Sequence, residues 1–196
     1  MLKFVKKNNV PITGTFRELN VIEVVIMKNE LNEQLDLMKN NIKKLEEIKS
    51  YEIAKLIRSY NYQISNLYYY YTVIEKNNKE LSKLKKSIKS HTLIYINLGR
   101  GFPKELMDGH WCYVVRTIGD SKLFVIPTTS IKTNQINSYM HYIIEAYSKE
   151  KNIKSKLELS DIRCVDIQRT YLRKGIYKVR TSRAEIINKL VEMVGG

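Results

Sequence analysis

His110 is the residue of this sequence best suited to moving protons, because an imidazole with an unperturbed pKa of about 6.5 both accepts and donates near neutrality. It stands in Asp108-Gly-His-Trp111, a small-residue turn ahead of an apolar run. Further along, Thr128-Thr-Ser130 offers three consecutive hydroxyls, neutral donors of the kind that steady a developing negative charge. Arg169 and Arg173 carry guanidinium forks matched to phosphate oxygens. Arg100 lies in the Gly99-Arg-Gly-Phe-Pro103 stretch with Glu105 close behind it. A proton shuttle, neutral donors and fixed cations are chemically sufficient for work on a phosphodiester.

Each of these residues also has an ordinary reading. His110 fits a turn or core histidine, the hydroxyls fit a strand exit that bonds its own backbone, Glu105 fits a solvated loop charge or an orienting partner, and the arginines fit solvated charges. Trp111 reads first as core, and His91 and His141 as surface or packing residues. A P-loop, paired catalytic carboxylates and a Gly-x-Ser-x-Gly elbow are all missing from the sequence, so those enzyme classes have no support. Cys112 and Cys164 show no Cys-x-x-Cys or Cys/His spacing and read as buried free thiols in a reducing compartment. No metal or other cofactor is expected.

The elements that must position these groups change character once along the chain. The protein has 196 residues with 34 Lys plus Arg against 20 Asp plus Glu, a formal net charge of +14. That excess favours polyanions, through phosphate neutralisation and counterion release. No uncharged run approaches the ~18–20 residues that span a bilayer, so no membrane association and a cytoplasmic location are expected. Residues 1–27 are undefined by pattern, with a turn at Pro11 and Gly14, and Val21–Ile26 reading as a strand or a helix start. Residues 28–90 carry apolar residues at three- and four-residue steps, with a phase slip near Lys49–Tyr51 or Ser59–Asn61. Two antiparallel helices are predicted, a hairpin for dimerisation or partner binding. After Ser90, strands are predicted at Thr92–Leu98, Trp111–Thr117, Lys122–Pro127 and Ile162–Ile167, a helix over Tyr139–Glu150, and a C-terminal helix opened by Ser182-Arg-Ala-Glu185. The prediction for 91–196 is a compact α+β domain built on a small barrel.

In this second half Ile94–Gly99, Glu105, Asp108-Gly-His110 and Trp111–Val115 follow one another, then Phe124-Val-Ile-Pro-Thr-Thr-Ser130, Ile162–Thr170 with Arg173, and Ser182–Val194. In order and spacing, about residues 90–196 resemble the MazF/PemK (Kid-like) toxins of bacterial toxin–antitoxin modules. The resemblance implies an SH3-like barrel of the CcdB/MazF type with a C-terminal helix, usually dimeric, acting as a metal-independent endoribonuclease on single-stranded RNA, with mRNA as substrate and a cognate antitoxin as partner. It implies catalysis by His110 and Thr129 with Glu105, and RNA contacts from Arg169, Arg173, Arg100, Ser130 and Thr128. Many members have Arg-Pro where this chain has His110-Trp111. The alternative is a non-catalytic binding module, since the CcdB branch uses the same barrel to bind a protein, or a regulated nucleic-acid-binding protein. Sequence preference would be set by the loops around Gly99–Gly109 and Asn134–Tyr139.

Overall fold

The computed structural model describes residues 16–48, 52–76, 78–119, 121–132 and 137–195. The chain forms two compact units, Met1–Ala54 and Lys55–Gly196. In the first, α1 runs over Phe16–Glu46, so Val21–Ile26 is helical; the turn expected at Pro11 and Gly14 lies outside the described residues. Leu31, Leu35 and Met38 are exposed along α1.

All but the first two residues of α2 (Ile53–Tyr69) belong to the second unit, and its end widens into a π turn over Tyr70–Ile74, closed by the Glu75 amide donating to the Tyr70 carbonyl at 2.9 Å. Then comes α3 (Asn78–Ser87). The helical region therefore breaks twice, once after Glu46 and once before Asn78, giving three helices where two were expected. The compact unit does not begin near residue 90. Leu84 of α3 and the fully packed Ile88 join a hydrophobic cluster of the barrel strands, which ties α3 to the β domain.

Seven strands follow: β1 (Thr92–Asn97), β2 (Gly109–Ile118), β3 (Lys122–Thr129), β4 (His141–Tyr147), β5 (Asn152–Glu158), β6 (Arg163–Asp166) and β7 (Ile176–Val179), then α4 (Arg183–Gly195). All pairings are antiparallel. The order β1-β2-β3-β5-β4-β7 returns to β1, closing a six-stranded barrel, and β6 adds to the first half of β3. Closure removes the exposed edges an open sheet would carry. Four strands expected from β-branched runs appear close to their predicted bounds. The helix expected over Tyr139–Glu150 does not: that segment contains β4. Tyr142, Ile144 and Ala146 alternate toward one apolar cluster, and this period of two overrides the three- and four-residue spacing that the same residues share with Tyr139 and Ile143.

Two clusters divide the apolar residues. Leu93, Tyr113, Ile126, Ile144, Ala146, Leu157 and Val179 draw on every strand of the ring and meet Ile186 of α4, so this cluster is the barrel interior. Ile94, Ile96, Cys112, Val114, Leu123, Val125 and Val165 face the other way, with Ile88 and Leu84, and form an outer layer. Cys112 is buried, and burial pushes its thiol pKa up. Cys164 is exposed, contrary to the expectation of two buried thiols: it lies on β6, which pairs only with β3. No helix among the described residues is long and apolar enough to cross a membrane.

Candidate functional site

Strand alternation decides which polar side chains share a face. On β2, Cys112 and Val114 point to the outer layer, so His110 does as well. Cys112 pairs with Pro127, and continuing that register sets His110 opposite Thr129. Thr129 in turn pairs with Lys156, and His141 with Glu158. One row of the outer face thus runs His110, Thr129, Lys156 with Glu158, and His141, across the ends of β2, β3, β5 and β4.

Bond chemistry fixes the tautomer of each histidine. The Nδ1 of His110 lies 3.2 Å from the Thr128 carbonyl oxygen, which only accepts, so Nδ1 carries the proton and Nε2 presents a lone pair. The Asn137 amide donates to Nδ1 of His141 at 2.9 Å, so the proton of His141 sits on Nε2, 2.8 Å from Glu158 Oε2. His141 therefore uses both nitrogens structurally. His110 keeps Nε2 without a partner among the described residues.

Glu158 is the hub of the row. Its Oε1 accepts from the Thr129 hydroxyl at 2.5 Å and lies 2.9 Å from Lys156 Nζ, and the carboxylate and ammonium side chains are only 12% and 9% exposed. Burial works to raise the Glu158 pKa, but the hydrogen bonds of Thr129 and Lys156 and the nearby His141 and Lys156 charges outweigh it, leaving the carboxyl below its ordinary range. Thr129 is thereby held by a carboxylate rather than free to donate. Thr128 is buried and donates to the Trp111 carbonyl at 3.0 Å, whereas Ser130 is exposed just past the strand.

The other predicted residues lie apart from this row. Glu105 closes its own loop, accepting from the Phe102 amide at 3.0 Å through Oε2, and it packs against Gly101, where a Cβ would fall 1.8 Å from that oxygen. It makes no hydrogen bond or ion pair with His110. Arg100 pairs with Asp108 at 2.9 Å, at the foot of the strand that carries His110, and its buried Nε has no acceptor among the described residues. Asp108 takes a left-handed φ of 63° there, a conformation Asp tolerates better than most residues. The loop is anchored by the Leu106 amide, which donates to Asp161 Oδ1, an oxygen that also accepts from Arg163.

Arg169 occupies a different place. Its Nη1 reaches the Asn97 carbonyl at 3.4 Å and passes 3.0 Å from where a Cβ on Gly99 would stand, and Gly99 has φ +82°. It lines a cleft of about 480 Å³ between α2 with its π turn and the barrel, bordered by Tyr62, Gln63, Asn66, Tyr70, Asn97 and Gln168 among others. Tyr62 stacks on Tyr171 at 5.5 Å and 20°. Burial first, then the hydrogen bond with Tyr62, raises the Tyr171 pKa. Arg173 is exposed on the neighbouring short helix, and Lys174 lies 3.4 Å over the ring of Tyr95.

Sequence reasoning found His110 and Thr129, which the barrel brings to one row, and took His141 as a surface or packing residue, in keeping with its two structural contacts, but it left out Glu158 and Lys156. The available signal was the Lys154, Lys156, Glu158 alternation, a strand pattern that became visible only with β4 as its partner. No family model matches this chain, and no curated protein matches it significantly.

Proposed function

We propose that the barrel is an endoribonuclease of the MazF/PemK kind, cleaving single-stranded RNA through attack of the 2′-hydroxyl on the adjacent phosphate. The observation that carries this reading is the His110 tautomer: Nδ1–H is tied to the Thr128 carbonyl, and the Nε2 lone pair is left open at a strand end. In this reading Nε2 takes the 2′-hydroxyl proton, the 2′-oxygen bonds to phosphorus, and the 5′-oxygen leaves with a proton from water. A 2′,3′-cyclic phosphate and a 5′-hydroxyl end result. His110 then returns its proton to solvent. Arg100, which Asp108 fixes at the foot of the strand that carries His110, is the cation this reading assigns to the reacting phosphate.

Glu158 positions Thr129 and, through the shared row, the end of β3 whose carbonyl orients His110. The net charge of +14 suits an RNA partner. An antitoxin protein, a homodimer and mRNA as the natural substrate belong to the same proposal. The test is incubation of the full chain with a long single-stranded RNA in EDTA. Discrete fragments ending in cyclic phosphate are expected; RNA bound but left intact would favour the non-catalytic binding module instead.

A further inference from the structure

The cleft beneath α2 has features that packing alone does not require. Its helical wall contains the π turn of Tyr70–Ile74, an irregularity that recurs at functional sites because it widens the helix and re-aims side chains. Tyr70 and Tyr71 meet edge to face at 5.1 Å there, and both line the cleft. Between the two walls stand carboxamides in different states of use. Asn66 donates to the Tyr62 carbonyl at 2.9 Å, and Asn97 accepts from the Gly99 amide at 2.8 Å. The side chains of Gln63 and Gln168 make no hydrogen bond among the described residues, and each offers a donor and an acceptor to the cleft. The cation at the cleft is Arg169, held by a single long contact to a carbonyl.

Aromatic faces, unused amides and one loosely held guanidinium match three parts of one ligand. A planar base stacks on tyrosine, amides read the donors and acceptors along its edge, and a guanidinium takes a phosphate in bidentate fashion. The volume of about 480 Å³ falls within the range of ordinary small-ligand sites. We propose that this cleft binds one nucleotide unit, with the base against Tyr70, its edge at Gln63 and Gln168, and the phosphate at Arg169. The source of that nucleotide is either a unit of the RNA strand or a free mononucleotide. In the first case the site deepens the ribonuclease reading and rests on it, supplying base preference from a helical segment outside the barrel.

The experiment titrates the full chain with each of the four nucleoside 5′-monophosphates, with inorganic phosphate, and with short single-stranded RNA, following binding by calorimetry. At least one mononucleotide is expected to bind ten times more tightly than inorganic phosphate. Tyr70→Ala and Gln63→Ala are each expected to weaken it at least fivefold, and Gln63, being exposed, serves where the tyrosine variant does not fold. Base-selective RNA binding lost in the same variants identifies the strand as the source; selectivity confined to mononucleotides identifies the free ligand. Nucleotides binding no better than phosphate, or Gln63→Ala and Tyr70→Ala both binding like the parent, would overturn the proposal. The two readings fail separately: RNA cleaved without nucleotide binding removes only the cleft, and nucleotide binding without cleavage removes only the nuclease.

Discussion

The strand-end row and the cleft beneath α2 are both polar, yet they are built in opposite ways. In the row, Glu158 binds Thr129, Lys156 and His141 at once. In the cleft, Gln63 and Gln168 have no hydrogen-bond partners among the described residues, and Arg169 touches one carbonyl at 3.4 Å. A site whose charges are already paired gains little from a new ion but holds geometry well, which is what proton transfer demands. A site with unused donors gains from a ligand. On the proposed reading the row carries the chemistry and the cleft the recognition, and substitutions in each should separate the two.

The largest effect is expected at His110. Replacing it with Ala removes the group with an open Nε2, and general acid–base catalysis is typically worth ~10²–10⁴-fold. Single-turnover cleavage should fall by about that factor, with RNA affinity nearly unchanged, because the proton moves only in the transition state. Full activity in His110→Ala would erase the contrast, since the row would then be only structural.

Glu158 comes next, and its signature is stability. Glu158→Ala removes the carboxylate from beside the buried ammonium of Lys156, and breaking such a pair costs about 3 kcal/mol. Urea unfolding should show it. The pH dependence has a definite sign. The folded pKa of Glu158 lies below its ordinary value of 4.5, so its contribution is complete above that value and is lost as pH falls through the folded pKa. Acid titration followed by circular dichroism should find Glu158→Gln less sensitive than the parent below about 4.5. An equal slope for both would place the carboxylate in solvent, against its 12% exposure.

The sequence made some of this contrast legible. The β-branched runs Leu93–Ile96, Val114–Val115 and Val125–Ile126 gave their strands, and the turn at Asp108-Gly109 brought His110 into view. The rest depended on long-range pairing. His141 matters only because β4 lies beside β5 and places it opposite Glu158, and β5, with Lys154 and Lys156 in its middle, looks solvated when taken alone. Lys156 is in fact buried. β7 has only four residues, too few to show a period. The cleft was harder still, since Tyr70, Gln63 and Arg169 lie on segments far apart in sequence, and the helical pattern gave no sign that α2 and α3 belong with the barrel.

A smaller effect is expected at Gly99, which lines the cleft. Gly99→Ala puts a Cβ 3.0 Å from Arg169 Nη1 at φ +82°, and left-handed backbone costs a non-glycine residue about 1 kcal/mol. Thermal denaturation should register that loss, and nucleotide binding should weaken as Arg169 is displaced. His110-dependent cleavage should persist. A stable variant with unaltered binding would show that Arg169 does not hold phosphate.

The smallest and most diagnostic effect is in salt dependence. Each phosphate contact that is lost removes about one from the slope of log affinity against log salt. Arg169→Ala should lower the slope for single-stranded RNA by about that amount and should also reduce base selectivity, because it fixes the phosphate next to the Gln63 and Gln168 amides. Arg173, exposed outside the cleft, can contribute to the slope but has no means to influence which base is bound. Arg173→Ala should therefore flatten salt dependence alone, with stability shifted by less than about 0.5 kcal/mol, as for most surface changes. If the two arginine variants changed slope and selectivity alike, Arg169 would be one more surface cation, and the division between a row that reacts and a cleft that reads would lose its basis.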